Sequence, residues 1–247
     1  MLAPFLTHAW ASSPERLTIA AAVTLGFALV ARAVRGVNGS GSLAGGLACF
    51  LLFAGAGPAA FAALALLFAM TWASTRLGYR RKQSLGLAER REGRSAWQVL
   101  ANLAAAALSS VVFSATGNRA WLVATVAALA EAATDTVASE IGQSRGANAR
   151  LITSWKRVPA GTDGGITRSG SVAGLAAGLG IAAVAAVGGL IPWSQMWIPV
   201  CAGFGGMLLD SLLGATLQRR NWIDNQTVNL ISTLAAAALA YAVLVLE

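Results

Sequence analysis

Apolar runs dominate the chain, at 17–35, 41–56, 58–74, 96–114, 119–135, 170–190, 196–216 and 228–246. A helix needs about 20 apolar residues to cross the hydrocarbon of a bilayer, and most of these runs approach that length. Charged residues make up only 11% of the chain, against about 25% in an ordinary soluble domain. The pattern predicts an all-α, polytopic transmembrane bundle occupying 1–247 as one integral membrane domain. The runs at 41–56 and 58–74 are short and separated only by Gly57-Pro58. They make either two spans or a re-entrant pair, so six to eight crossings are expected.

The placement of charge carries the orientation. With eight crossings and the N-terminus outside, segments 32–40, 75–95, 136–169 and 217–227 lie inside. Those segments hold every one of the 18 Lys and Arg residues except Arg16 and Arg119. Such a bias is what the positive-inside rule predicts, placing the basic loops in the cytoplasm and the protein in the inner (cytoplasmic) membrane. The net charge of +8 therefore reports topology, and no basic–aromatic stretch is long enough to follow a nucleic-acid backbone. The first run lacks a small-residue cleavage site and is expected to be a retained helix. Cys49 and Cys201 both fall in apolar runs, as small buried hydrophobes do. With His8 the only histidine, His-based zinc sites and Ser-His-Asp catalysis are excluded.

Charges in or beside hydrocarbon cost several kcal/mol each and need a reason. Glu131, Asp135 and Ser139 fall at i, i+4 and i+8 on one helical face, with Glu140 about 100° further round. Asp210 lies one or two turns from the end of its own span, followed by Ser211, Gly214 and Gln218. Carboxylates without histidine support suit a hard cation such as Mg2+, shared with phosphate oxygens. The following loop contains Lys156-Arg157 and the run Gly161-Thr162-Asp163-Gly164-Gly165 just before a helix. Cations and closely approaching amides there suit an anion, although the order of glycines and Lys is not that of a Walker A loop. Arg76 and Lys82 are the cations of the 76–98 cluster nearest to helix ends. Gln98 and Asn102, four residues apart, place amides where only an internal partner justifies them. Gly41/Gly45 and Gly170/Gly174/Gly178 form small-residue faces for close helix packing, which leaves an oligomer open.

Several stretches resemble the membrane family that includes plant phytyl-phosphate kinase and vertebrate transmembrane protein 19. They are Thr75–Lys82, Gly93–Asn102, Asp135–Gly142, Leu151–Thr153, Lys156–Gly165 and Asp210–Gln218, and in this order they are specific. The resemblance implies transfer of a phosphoryl group from a nucleoside triphosphate, CTP by similarity, to an isoprenyl monophosphate such as phytyl phosphate. A weaker similarity to dolichol kinases and CDP-lipid synthases supports the donor more than the acceptor. On this basis Asp135 and Glu140, with Asp210 or Asp163, hold Mg2+ on the donor phosphates. Lys156, Arg157 and the amides of Gly161, Gly164 and Gly165 cradle the triphosphate, and Arg76 and Lys82 hold the acceptor monophosphate. The rival readings are a cytidylyltransferase making a CDP-lipid and an ion-coupled transporter. The latter lacks the inverted repeat usual for that class.

Overall fold

The computed structural model describes residues 14–145 and 149–246; His8 lies outside them. Eight long helices follow one another: α1 (Arg16–Ala33), α2 (Gly39–Ala56), α3 (Pro58–Arg76), α5 (Ala96–Thr116), α6 (Ala120–Arg145), α7 (Arg168–Val187), α8 (Trp197–Thr216) and α9 (Asn225–Leu246). A short helix, α4 (Tyr79–Ser84), sits between α3 and α5. All eight long helices are long and apolar enough to cross a membrane, and the chain is an integral, multi-pass membrane protein. The uncertain pair resolves into two full helices. Gly57 takes a positive φ of 87° and Pro58 opens α3 at N1, a turn only glycine enters without strain. Both helices of this hairpin are long and apolar enough to cross a membrane.

The bundle is apolar both in its core and on much of its outer surface. The central helix is α6, which has 78% of its apolar window buried, whereas α1 has 11%. Leu25, Leu29, Leu43, Leu108, Val172 and Leu179 all face outward, a surface tolerable only against lipid. Packing toward α6 depends on small residues. Extra Cβ atoms on Gly170 and Gly174 of α7 would come within 2.5 Å of Ala138 O and Thr134 O, so the expected glycine face is the α6–α7 contact. Gly41 instead abuts the carbonyl of Arg94 in the α4–α5 loop. Cys49 is buried as expected, but Cys201 is exposed on α8, because that side of α8 faces outward.

Two features depart from the expected loops. Helix α6 runs ten residues past Asp135, as far as Arg145, because Ala, Ser, Glu and Gln there are adequate helix formers. At about 1.5 Å per residue its 26 residues span roughly 39 Å, so it projects beyond the hydrocarbon. The segment between α6 and α7 carries a small antiparallel hairpin, β1 (Arg150–Leu151) with β2 (Gly165–Ile166). Successive helices alternate in direction, so the loops carrying nearly all the cations share one face of the bundle.

Candidate functional site

Three aspartates reach one pocket on the basic face from three separate elements. Asp135 comes from α6, Asp163 from the turn before β2 and Asp210 from α8. They line a polar cavity of about 120 Å3 together with Ser139, Gly161, Thr162, Gly164 and Gly165. Gly164 is what seats the loop there. It has φ +74°, and a Cβ on it would fall 2.5 Å from Ser211 O of α8. Partial burial at the pocket mouth pushes the Asp163 carboxyl above its ordinary range, opposed by the charge of Arg219. The start of α7 borders the same cavity through Thr167 and Gly170, with the Thr167 hydroxyl capping the helix by accepting from Gly170 N at 3.0 Å. The first residue of α9, Asn225, borders it too. Two helix N-termini thus place partial positive charge beside three carboxylates, which suits an anion carried in with its own cation.

Asp210 is the hub of the polar contacts. Its Oδ2 meets the Ser232 hydroxyl at 3.5 Å. The Asn229 carboxamide, oriented so that its donors meet acceptors, donates to Asp210 Oδ2 at 3.0 Å and accepts from Asn102 Nδ2 at 3.2 Å. Neither Asn229 nor Ser232 was singled out from sequence. The signal existed: Asn225, Asn229 and Ser232 recur at helical spacing along an otherwise apolar α9. One turn below Asp135, Glu131 is 1% exposed and sealed by Gly203 and Gly206 of α8. Its Oε1 finds no hydrogen-bond partner among the described residues.

Several expected site residues lie elsewhere. Lys82 projects from α4 into the bundle and forms an ion pair with Glu140. It also donates to Ser74 O at 3.1 Å and Thr75 O at 2.7 Å. An ammonium has three donors, so Lys82 has none left for a substrate phosphate, and Glu140 stands outside the aspartate pocket. Lys156 and Arg157 are exposed and do not line that pocket, because the backbone at 156–157 turns back onto 150–151. The Gly165 amide donates to Thr162 O at 2.8 Å and is spent within the loop. Gln98 closes a capping box at the start of α5, accepting from Ser95 N and donating to Glu89. The Ser-x-x-Gln spacing is itself legible in sequence. Arg76 stacks over Trp72 and donates to Val34 O at 2.6 Å.

A metal fits this pocket only as a shared ligand. Among the described residues no three metal-ligating side chains come close enough to hold an ion by themselves. Mg2+ dehydrates reluctantly and is commonly bound by one or two carboxylates plus substrate phosphates. The donor set of Asp135, Asp163 and Asp210 is of that kind.

Comparison with known proteins gives the family. Residues 22–237 match the model of the integral membrane protein family DUF92. The chain belongs to that family. It is 37% identical over 174 residues to an uncharacterized membrane protein of Synechocystis, covering 68% of this chain and 67% of that one. Protein VTE6, chloroplastic, of Arabidopsis thaliana is 30% identical over 208 residues, covering 81% of this chain and 62% of the relative. An uncharacterized membrane protein of Methanocaldococcus jannaschii is 37% identical over 116 residues, 46% of this chain and 47% of that one. The chain thus spans about two thirds or less of the length of these curated relatives. No solved structure matches.

Proposed function

We propose that this protein is a membrane phosphotransferase that moves the γ-phosphoryl group of CTP, or another nucleoside triphosphate, onto an isoprenyl monophosphate. The observation that carries the reading is the convergence of Asp135, Asp163 and Asp210 with two helix N-termini on one pocket. The kinship with VTE6 and the resemblance to phytyl-phosphate kinases support the acceptor class. At about 120 Å3 the pocket is smaller than the about 300–1,000 Å3 typical of sites that enclose a drug-sized ligand. It suits the phosphates, with the nucleoside lying over the 149–167 loop. The basic face is cytoplasmic on this reading, where nucleotide is available.

Phosphoryl transfer asks for positioning and charge neutralisation rather than covalent help from the protein. An oxygen of the acceptor monophosphate attacks the γ-phosphorus, the bond from that phosphorus to the bridging oxygen breaks, and the nucleoside diphosphate leaves. The attacking oxygen is already anionic, so no general base is required. One or two of Asp135, Asp163 and Asp210 would hold Mg2+, which when bound neutralises charge on the donor phosphates. The amides at the start of α7 and α9 orient those phosphates. Ser232 and Asn229 fix the Asp210 carboxylate.

Purified protein incubated with geranylgeranyl monophosphate, Mg2+ and γ-labelled CTP tests the reading. Label in a lipid diphosphate supports it. Label transferred from α-labelled CTP into the lipid instead makes the protein a cytidylyltransferase. No transfer from CTP, ATP or UTP to several prenyl phosphates overturns both. Ion-coupled transport would then be next, favoured by the carboxylate oxygen of Glu131 that has no hydrogen-bond partner among the described residues.

A further inference from the structure

A second cavity, of about 330 Å3, opens between α1, α2, α3 and α5 and reaches Ala132 of α6. Its two ends differ chemically. The deep end is apolar, lined by Phe27, Leu64, Leu67, Phe68 and Leu103. Its mouth on the basic face carries Arg35, Arg76, Arg90, Arg91 and Arg94 against the single acid Glu89. Leu64 lies twelve residues from the end of α3 at Arg76, so the cavity penetrates roughly 18 Å, over half of a hydrocarbon core about 30 Å thick.

Arg94, at the mouth of this cavity, is held in place by its backbone. Its N–H donates to Gly36 O at 3.1 Å, and its carbonyl accepts from Asn38 N at 3.0 Å. The preceding Gly93, at φ +87°, lies so close to Gly36 and Val37 that a Cβ would fall 2.6 Å from Val37 N. Strapped in this way, Arg94 lines the apolar cavity, which reaches Ala132, one helical turn from Asp135 of the aspartate pocket. A polar route also joins the two, because Asn102 lines the apolar cavity and reaches Asp210 through Asn229.

We propose that this second cavity is the acceptor site, taking a single-chain lipid monophosphate from the membrane with its tail between α1, α3 and α5 and its phosphate against Arg94. The occupant follows from the lining: an apolar channel ending in clustered guanidiniums matches one hydrocarbon chain ending in a dianion. The proposal rests on the phosphotransferase reading, and it moves the acceptor phosphate from Lys82, whose donors are spent, to Arg94. Asn102 and Arg94 then steer that phosphate toward the donor pocket, so that Arg94 touches the acceptor and faces the reacting oxygens.

Gly45 and Gly46 line the cavity, and a Cβ at either meets only ordinary contacts, 3.7 Å to Val99 and 3.8 Å to Ala28. Gly45→Phe therefore fills the cavity, Gly46→Leu is a smaller plug, and Gly45→Ala is the control. The experiment is thermal unfolding of detergent-purified protein titrated with geranylgeranyl monophosphate, geranylgeraniol or inorganic phosphate, and separately with CTP–Mg2+. The monophosphate is expected to raise the midpoint of the native protein, Gly45→Ala and Asp135→Asn. The shift is lost in Gly45→Phe and reduced in Gly46→Leu, and in Arg94→Gln half-saturation needs about tenfold more lipid. Geranylgeraniol binds more weakly and inorganic phosphate gives no shift. If both plugged variants keep the native fold and are still stabilised by the monophosphate as the native protein is, the cavity is not the acceptor site. Equal stabilisation by geranylgeraniol and by the monophosphate likewise overturns the phosphate assignment. Lipid binding that is lost in Gly45→Phe while no nucleotide supports transfer preserves this site and sinks the kinase reading alone.

Discussion

Replacing Lys82 by methionine separates a structural cation from a substrate-binding one. The Lys82 ammonium meets Ser74 O, Thr75 O and Glu140 Oε2, and the two side chains are 0% and 14% exposed. Lys82→Met keeps the apolar stem and removes the charge. It leaves the Glu140 carboxylate with the Thr75 hydroxyl at 3.2 Å and no cation. Removing one partner of a buried pair costs about 3–5 kcal/mol, which lowers the midpoint of a chain this size by about 10 °C. Glu140→Gln strands the ammonium instead and should cost a comparable amount. The double variant Lys82→Met/Glu140→Gln strands neither charge. Coupling of about 2–3 kcal/mol is therefore expected, bringing the double variant closer to native than either single one. Melting of the four detergent-purified proteins completes the cycle, and turnover is measured below the lowest midpoint. A Lys82→Met midpoint matching the native one refutes the structural role. So does a double variant as stable as native protein yet devoid of turnover, because that pattern belongs to a lysine that holds substrate.

Asp135→Asn and Asp210→Asn should each lower labelled-phosphate transfer about 10²–10³-fold without lowering the circular dichroism melting midpoint; retained transfer in both would remove the aspartate pocket from the chemistry. Gly174→Leu has no room, since even a Cβ would fall 2.5 Å from Thr134 O, whereas Gly180 has only Leu66 at 3.8 Å. The first should abolish recovery of monodisperse protein and Gly180→Leu should not, as gel filtration will show. Asp224 accepts from the hydroxyl and amide of Thr227 at 2.6 and 2.8 Å, which hold its carboxyl below the ordinary carboxylate range. A depressed folded value contributes stability above the unfolded pKa of about 3.9 and loses it as pH falls through the folded value. The midpoint gap between native protein and Asp224→Ala should thus be constant above about pH 5 and close on acidification.

The spans were legible because a lipid-crossing helix is specified by its own residues. Length and hydropathy place each one without knowledge of its neighbours, and the Gly170/Gly174/Gly178 face announced its packing through spacing alone. The site was legible in part. Asp135 and Asp210 stood out as acids in apolar surroundings, and their convergence with Asp163 needed only the assumption that helix ends on one face meet. What the sequence withheld was partner choice. Lys82 and Glu140 are 58 residues apart, and nothing local says that the glycine turn at Gly78 tucks α4 beneath α6, where a Cβ on Gly78 would fall 2.9 Å from Ser144. Lys156 and Arg157 lie outside the pocket for a similar reason: charge and loop membership suggested a phosphate cradle, but pairing of 156–157 with 150–151 leaves both residues exposed. Arg94 was hidden among neighbours of the same type, and only its backbone strap to Gly36 and Asn38 distinguishes it from a topology-determining cation.

The depth of the two cavities argues for joining them in one reaction. A nucleoside triphosphate cannot leave water without a desolvation cost of several kcal/mol per charge, and an isoprenyl chain gains about 0.8 kcal/mol per CH2 by staying out of it. An enzyme that uses both substrates must therefore work where helices end. Asp135 lies ten residues from the end of α6 and Asp210 six from the end of α8, roughly 15 and 9 Å along their axes. Both carboxylates are half-buried. They line the polar pocket, and Ala132, one turn from Asp135, lines the apolar cavity, so on the proposed reading the acids lie beside the path of a lipid phosphate. Carboxylates serving packing alone gain nothing from that coincidence. If Asp135→Asn and Asp210→Asn raise the melting midpoint while Arg94→Gln leaves it unchanged, the acids are held there at a cost in stability, as residues kept for chemistry are.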